Sequence, residues 1–208
     1  KHRTTGSIIL NDTETDGLTI RQIRDLGLAH ISEDRMKYGI AGDLSVRDNI
    51  ASVYLDNPKY IKGPLLNVRK INAFVDECIQ EFEIACTSGS EPIHLLSGGN
   101  IQKVIIAREF SGGANLIVAN QPTRGIDVGT TDLIRRLLVK YTRERDVGVL
   151  LISSDLNELM ELSDRLLVMK DGQVVAQFND VKSVQDEELG EYMLGIRKMV
   201  PDEMGDLL

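Results

Sequence analysis

Short apolar runs alternate with amphipathic stretches along most of this chain. Ser7–Leu10 is an apolar run closed by Asn11-Asp12, the pattern of a strand and a turn. Thr19–Gly27 reads as a short amphipathic helix, capped by Thr19 and ended at Gly27. Leu28–Ile31 reads as a buried strand that leaves Ser32-Glu33-Asp34-Arg35 at its carboxyl end. From Ser45 the period changes. Ser45-Val46-Arg47-Asp48 has the form of a capping box with Asp in place of Glu. Asn67–Phe82 places Val68, Ile71, Phe74, Val75, Cys78, Ile79 and Phe82 on one helical stripe, and a second helix spans about Asn100–Phe110.

Strand–helix alternation then resumes. Leu116–Ala119 is a strand, and Thr130–Arg143 is a helix with Leu133, Ile134, Leu137, Leu138 and Tyr141 inward. Val147–Ile152, Asp155–Leu162 and Arg165–Met169 read as strand, helix and strand. Asp171-Gly172 signals a hairpin into Gln173–Phe178, and Val184–Leu194 closes as a helix. This order predicts an α/β fold: a mostly parallel sheet covered by helices on both faces, interrupted by a helical insert.

Composition narrows the field. With 208 residues, 42% of them hydrophobic, the chain suffices for one core with a subdomain. The net charge of −8 and the lack of a basic stripe argue against nucleic acid as a partner. Arg21–Arg24 and Arg143–Arg145 lie beside acids and read as solvated helix faces. Two cysteines, Cys78 and Cys86, without further Cys or His at ligand spacing make neither a zinc site nor a disulfide framework, which suits a reducing compartment. No apolar run approaches the roughly 18–20 residues of a membrane span. The start at Lys1, entering a polar turn directly, is what a piece of a longer protein would show.

The candidate chemistry lies in two places. Ser97-Gly98-Gly99 opens a helix; glycines let backbone approach a ligand, and a helix N-terminus offers N–H groups and a positive dipole end to an anion. The same residues also make an ordinary loop and N-cap. Where a buried strand would present acids for metal or proton chemistry, Leu116–Ala119 ends in two amides, Asn120 and Gln121. On the residues alone, Arg124 fits a solvated turn, Glu33 a simple pair with Arg35 and Ser154 a strand-end cap.

Taken together, LSGGNIQKVIIARE, LIVANQPTRGID and LLISSDLNELMELSDRLLVMKDGQVV resemble the ATP-binding cassette (ABC) family over Gly6 to about Ile196. Ser32-Glu33-Asp34-Arg35, the Asn of LSGGN and Pro-Thr-Arg-Gly-Ile-Asp look like the second cassette of tandem importers for monosaccharides or nucleosides. The resemblance implies a P-loop NTPase fold with a helical signature subdomain. Segment 1–44 would be the N-terminal part of the core, 45–110 the helical subdomain, 111–196 the C-terminal core and 197–208 a loose tail. It makes Ser97, Gly98, Gly99 and Asn100 the signature motif and Asp127 the D-loop aspartate, all facing ATP held by a partner cassette. Glu33 falls at the Q-loop position and Ser154 at the switch-histidine position. Asn120 and Gln121 replace the Walker B Asp-Glu pair, so no catalytic residue is intact and no metal ligand is expected from this half. Nothing matches G-x-x-x-x-G-K-[ST], so tight ATP binding by this chain alone is not expected.

The implied partners are a first cassette of the same polypeptide and transmembrane permease subunits, whose coupling helix would meet Asp43–Tyr54. A periplasmic or lipoprotein solute-binding protein takes part indirectly. ATP and Mg²⁺ belong to the whole assembly, placed at the cytoplasmic face of the membrane, and the chain by itself could form a homodimer. Two other classes remain open at this point: a non-transport ABC ATPase, and a non-enzymatic interaction module of the same fold.

Overall fold

A computed structural model describes residues 5–200 of the chain. They form two compact units, one reaching to Ile152 and one starting at Ser153.

In the first unit, β1 (Ile9–Leu10) and β2 (Thr13–Glu14) make a small antiparallel hairpin, with Asn11 and Asp12 at φ 48° and 59°. Short polar side chains tolerate that left-handed turn. Helix α1 (Ile20–Asp25) starts with a full capping box: Thr19 Oγ1 accepts from the Gln22 N–H at 3.3 Å, and the Thr19 N–H donates to Gln22 Oε1 at 2.9 Å. Gly27, at φ 96°, turns the chain into β3 (Leu28–Ile31).

A three-stranded parallel sheet forms from β3, β6 (Leu116–Asn120) and β7 (Gly148–Ile152), in the order β3-β6-β7 with Leu28, Leu116 and Gly148 in register. Alternation puts Ala29, Ile31, Ile117 and Ala119 on one face, all buried. On the other face, Leu150 and Ile152 of β7 keep 50% and 45% of their surface exposed. The expected cover on both faces is therefore incomplete among the described residues.

The helical part comprises α2 (Val46–Ala51), α3 (Val68–Glu81), α4 (Gly98–Phe110) and α5 (Val128–Arg145). A hairpin of β4 (Ile61–Lys62) and β5 (Leu65–Leu66), too short to show a period, interrupts it between α2 and α3. Ser45 caps α2 by accepting from the Asp48 N–H at 3.1 Å, and its hydroxyl donates to Asp48 Oδ2 at 2.5 Å. The α3 stripe buries Ile71, Val75, Cys78 and Phe82, whereas Val68, in the first turn, is exposed and does not belong to it. Helix α4 starts at Gly98, two residues before the predicted Asn100, and is buried around most of its circumference. Phe82, Phe110 and Tyr141 bring α3, α4 and α5 to one aromatic cluster, with Phe110 and Tyr141 ring centres 4.5 Å apart. Burial there pushes the Tyr141 phenol up to about 12.

One charge is buried within this core. The Glu109 carboxylate of α4, 1% exposed, accepts from Arg24 Nη2 at 2.7 Å, Arg108 Nε at 2.8 Å and the His30 N–H at 3.2 Å. Arg24, read from sequence as part of a solvated face, instead ties α1 to α4 through this acid. The Tyr54 hydroxyl donates to the Arg108 carbonyl beside it, and burial raises its pKa.

In the second unit, α6 (Leu156–Leu162) precedes an antiparallel hairpin of β8 (Leu166–Lys170) and β9 (Gln173–Phe178), then α7 (Asp186–Leu194). Asp171 and Gly172, at φ 49° and 77°, make the predicted turn. Leu166, Val168, Ala176, Leu189 and Tyr192 are its core. A 3₁₀ turn at Val181–Ser183 delays α7 by two residues relative to the expected Val184 start. The last eight residues of the expected loose tail lie outside the described residues. No described helix is long and apolar enough to cross a membrane.

Removing the acid at the centre of the Arg24–Glu109–Arg108 group strands a partly buried cation. Glu109→Ala is expected to lower unfolding free energy by about 3–5 kcal/mol. Urea denaturation measures it; a loss under 1 kcal/mol contradicts the assignment.

Candidate functional site

The N-terminus of α4 is built by its own first four residues. Ser97, at φ −62° and ψ 156°, is the cap. Its Oγ accepts from the Asn100 N–H at 3.4 Å and from Asn100 Nδ2 at 3.0 Å. Its oxygen accepts from Asn100, and the exposed hydroxyl keeps one proton available to donate. Asn100 is itself held, because its Oδ1 accepts from the Ala85 N–H at 2.9 Å. The first N–H groups of a 13-residue helix have no acceptor within it, and they share the positive end of its dipole.

Behind this corner stands the start of α5. Asp127 caps it: Oδ1 accepts from the Thr130 N–H at 2.9 Å and Oδ2 from the Thr130 hydroxyl at 2.8 Å. These two bonds, the backbone one first, hold the carboxyl of Asp127 below the ordinary aspartate value. Gly99 faces the same cap so closely that a Cβ built on it would lie 2.8 Å from Thr130 Oγ1 and 2.9 Å from Asp127 Oδ2. The glycine is thus required by close approach rather than by conformation.

The turn between β6 and α5 carries the remaining candidates. Asn120 is the last residue of β6, paired with Ile152. Gln121 follows in the left-handed region, φ 51°, and its N–H donates to the Ile152 carbonyl at 2.7 Å. The buried Gln102 of α4 donates from Nε2 to the Pro122 carbonyl at 2.8 Å. Arg124 pairs with Glu33, not Arg35; the pairing of Glu33 with Arg35 left open by the sequence is not formed. Arg35 instead donates from Nη1 to the Arg124 carbonyl at 2.7 Å and from Nη2 to the Gly125 carbonyl at 3.0 Å. Ser154 is the second residue of the second unit, next to Asp155, which caps α6 through a 3.3 Å bond from the Glu158 N–H.

The structure thus gathers Ser97, Gly98, Gly99, Asn100 and Asp127 at one corner and links Glu33 to it through the 121–127 turn. Arg35, Gln102 and Thr130 are additions. Gln102 stands beside Lys103 in an otherwise apolar stretch, Ile101–Ile106, and its pattern did not separate it from a solvated position. No sequence signal marked the partners of Arg35, because they are backbone carbonyls 89 and 90 residues away.

Chemically, the corner can donate a hydroxyl proton and backbone N–H groups to a phosphate oxygen. The Asn120-Gln121 end of β6 offers only uncharged amide oxygens. Among the described residues no group of three or more His, Cys, Asp or Glu is placed to hold a metal ion. The residues at this strand end do not fit a resident Mg²⁺.

No protein-family profile matches the chain. The glucose import ATP-binding protein TsgD13 of Haloferax volcanii is 36% identical over 197 residues, covering 91% of this chain and 34% of that protein. The nucleoside import ATP-binding protein NupA of Lactococcus lactis is 35% identical over 190 residues, covering 91% of this chain and 37% of that protein. The chain therefore spans about a third of the length of the curated relatives it matches. In three dimensions it resembles the dimeric ATP-binding cassette MJ0796 in a post-hydrolysis state bound to ADP and Pi (TM-score 0.72, 22% identity, 84% of this chain and 73% of that one). It also resembles cbiO1 of Clostridium perfringens, part of the ABC transporter complex cbiONQ (TM-score 0.68, 21% identity, 89% and 70%).

Such an arrangement of sheet and helices is the ABC ATPase fold. Within it, the homologues are ATP-binding proteins of sugar and nucleoside importers.

Two outcomes follow from the corner. Gly99→Ala should gain about 1 kcal/mol in helix propensity but lose about 1–3 kcal/mol to overpacking against two side chains locked to each other. Net destabilisation and weaker Thr130 amide protection are expected by denaturation and hydrogen exchange; net stabilisation would show that the cap yields freely. The second concerns pH. Because Asp127 is lowered in the folded chain, its cap is complete above the ordinary value of 3.8 and is lost as pH falls through the lower folded value. The Thr130 amide resonance should titrate with a midpoint below 3.8, and Asp127→Asn should abolish that step.

Proposed function

We propose that this chain is the second cassette of a tandem ATP-binding protein that drives uptake of a sugar or nucleoside. In this reading Ser97, Gly98, Gly99 and Asn100 serve ATP held by the first cassette of the same polypeptide. The observation that carries it is the exposed Ser97 hydroxyl at the open end of α4, its oxygen held by Asn100. Bound ATP supplies the γ-phosphate and its charge; this chain supplies the hydrogen bonds that meet it, with Asp127 and Thr130 holding the corner's back. The other composite site would contain Asn120 and Gln121. Neither amide can accept a proton at neutral pH or neutralise Mg²⁺, so that site would hold nucleotide poorly or without turnover. Catalysis in the assembly is then asymmetric, with this half acting as donor and as lever on the permease.

The division into a nucleotide-binding core and a helical subdomain over 45–110 is part of the same reading. Asp43–Tyr54 would meet a coupling helix of the transmembrane subunits. Exposed Met36, Tyr38 and Leu44, on or near that segment, support such a contact. The assembly would sit at the cytoplasmic face of the membrane, with a solute-binding protein acting through the permease. The relatives named for glucose and for nucleosides support the substrate class and do not divide it.

The test is made in the intact two-cassette transporter. Ser97→Arg is expected to reduce transport-coupled ATP hydrolysis by on the order of 10²–10³ or more. Asn120→Asp combined with Gln121→Glu is expected to leave turnover within about twofold. Equal losses from Ser97→Arg and Gln121→Ala would end the asymmetric reading, and nucleic-acid-stimulated hydrolysis without a permease would favour a non-transport ATPase.

A further inference from the structure

The strongest unassigned feature is a closed ring of contacts that begins and ends on α4. It starts where a π-helical turn, Arg35–Gly39, lies on that helix. A Cβ built on Gly39 would stand 2.8 Å from Ile105 Cδ1, so the turn runs close along α4. Asp34 caps the turn, its Oδ1 accepting from the Lys37 N–H at 3.0 Å. From this fixed root the Arg35 side chain reaches the 121–127 turn. Gly125, at φ 67°, accompanies two successive carbonyls, those of Arg124 and Gly125, that both accept from the Arg35 guanidinium at 2.7 Å and 3.0 Å. Two residues on, Asp127 and Thr130 press against Gly99, which returns the ring to α4. The guanidinium also passes the corner itself: a Cβ on Gly98 would lie 3.1 Å from Nη2.

We propose that Arg35 is the positioning residue of the Ser97–Gly99 corner. It fixes the 124–127 turn relative to the N-terminus of α4, and so sets where Ser97 presents its proton. Three features favour this over an incidental surface contact. The guanidinium meets two backbone carbonyls at once, a fork that lysine cannot reproduce. Its root and its target both approach α4 closely, at Ile105 and at Gly99. And the residue it passes, Gly98, belongs to the corner. Arg124, by contrast, is joined to Glu33 by a pair with both side chains about half exposed or more, which contributes little to rigidity. The inference rests on the proposed role of Ser97 for its consequence in turnover, but the positional claim stands on this chain alone.

The experiment therefore has two arms. In this chain, without nucleotide, amide hydrogen exchange is followed at Asn100 and Thr130. Arg35→Gln is expected to speed exchange at both by about tenfold or more, since bonds to a charged donor are lost. Arg35→Lys, which keeps the charge but not the planar fork, should fall between. In the intact transporter, Arg35→Gln should lower kcat about tenfold with KM for ATP within about twofold, because the nucleotide is held by the other cassette. Gly98→Ala should do the same by displacing the guanidinium, and the double variant should lose about tenfold rather than about a hundredfold, since both changes break one contact. Should Arg35→Gln unfold the chain, Gly98→Ala carries both arms with Arg35 in place. Unchanged exchange at Asn100 and Thr130, or losses that multiply, would overturn the role of Arg35. Wild-type turnover in Ser97→Arg would instead overturn the donor reading, leaving the exchange arm to judge Arg35.

Discussion

The contact on which this site depends is one where the bare backbone of one helix meets the capping side chains of another. Gly99 lies against the Asp127–Thr130 cap at a spacing that excludes even a methyl group. Each helix end is finished by a short polar side chain, Ser97 for α4 and Asp127 for α5. One residue pair thus serves local and long-range purposes together. The cap bonds that satisfy the first turn of α5 also create the wall that α4 rests on. Rigidity at the open end of α4 is what makes a hydroxyl there useful, because a donor that must reorganise loses much of its electrostatic advantage.

Behind that end, α4 is held along its whole length. Ile105 meets the π-helical turn, Phe110 enters the aromatic cluster with Phe82 and Tyr141, and Glu109 draws in Arg24, Arg108 and the backbone of β3. Burying a carboxylate is costly, and here three donors offset the cost while linking α1, β3 and α4. Gln102 adds a buried bond to the Pro122 carbonyl. The helix is therefore fixed by directional polar contacts as well as by its apolar surface. That combination suits an element whose tip has to be placed to within a fraction of an ångström.

Much of this was legible in the sequence, and for local reasons. Caps, turns and strands depend on residues a few positions apart. Thr19, Ser45, Asp171-Gly172 and the inward set Leu133–Tyr141 all appear where their patterns placed them. The Ser-Gly-Gly corner and the amide-ended strand were visible because their chemistry is carried by residue type. What escaped depends on distance along the chain. Val68 has the right spacing for the α3 stripe but sits in the first turn, before the helix meets its neighbours. Arg24 looked solvated because its partner is 85 residues away. A pair of Arg35 with Glu33, two residues off, was left open, whereas its partners are main-chain oxygens that no side-chain pattern records. The short β4–β5 hairpin has too few residues to show any period.

The aromatic residues are divided between the two units. Phe82, Phe110 and Tyr141 anchor the first, and Tyr192, against Phe178, anchors the second. Each unit thus owns a core that it can lose separately, and one melting temperature describes the chain only to the extent that the two losses coincide. Tyrosines stand in both cores and tryptophan is lacking throughout, so an ultraviolet signal from the native chain sums two transitions rather than reporting one.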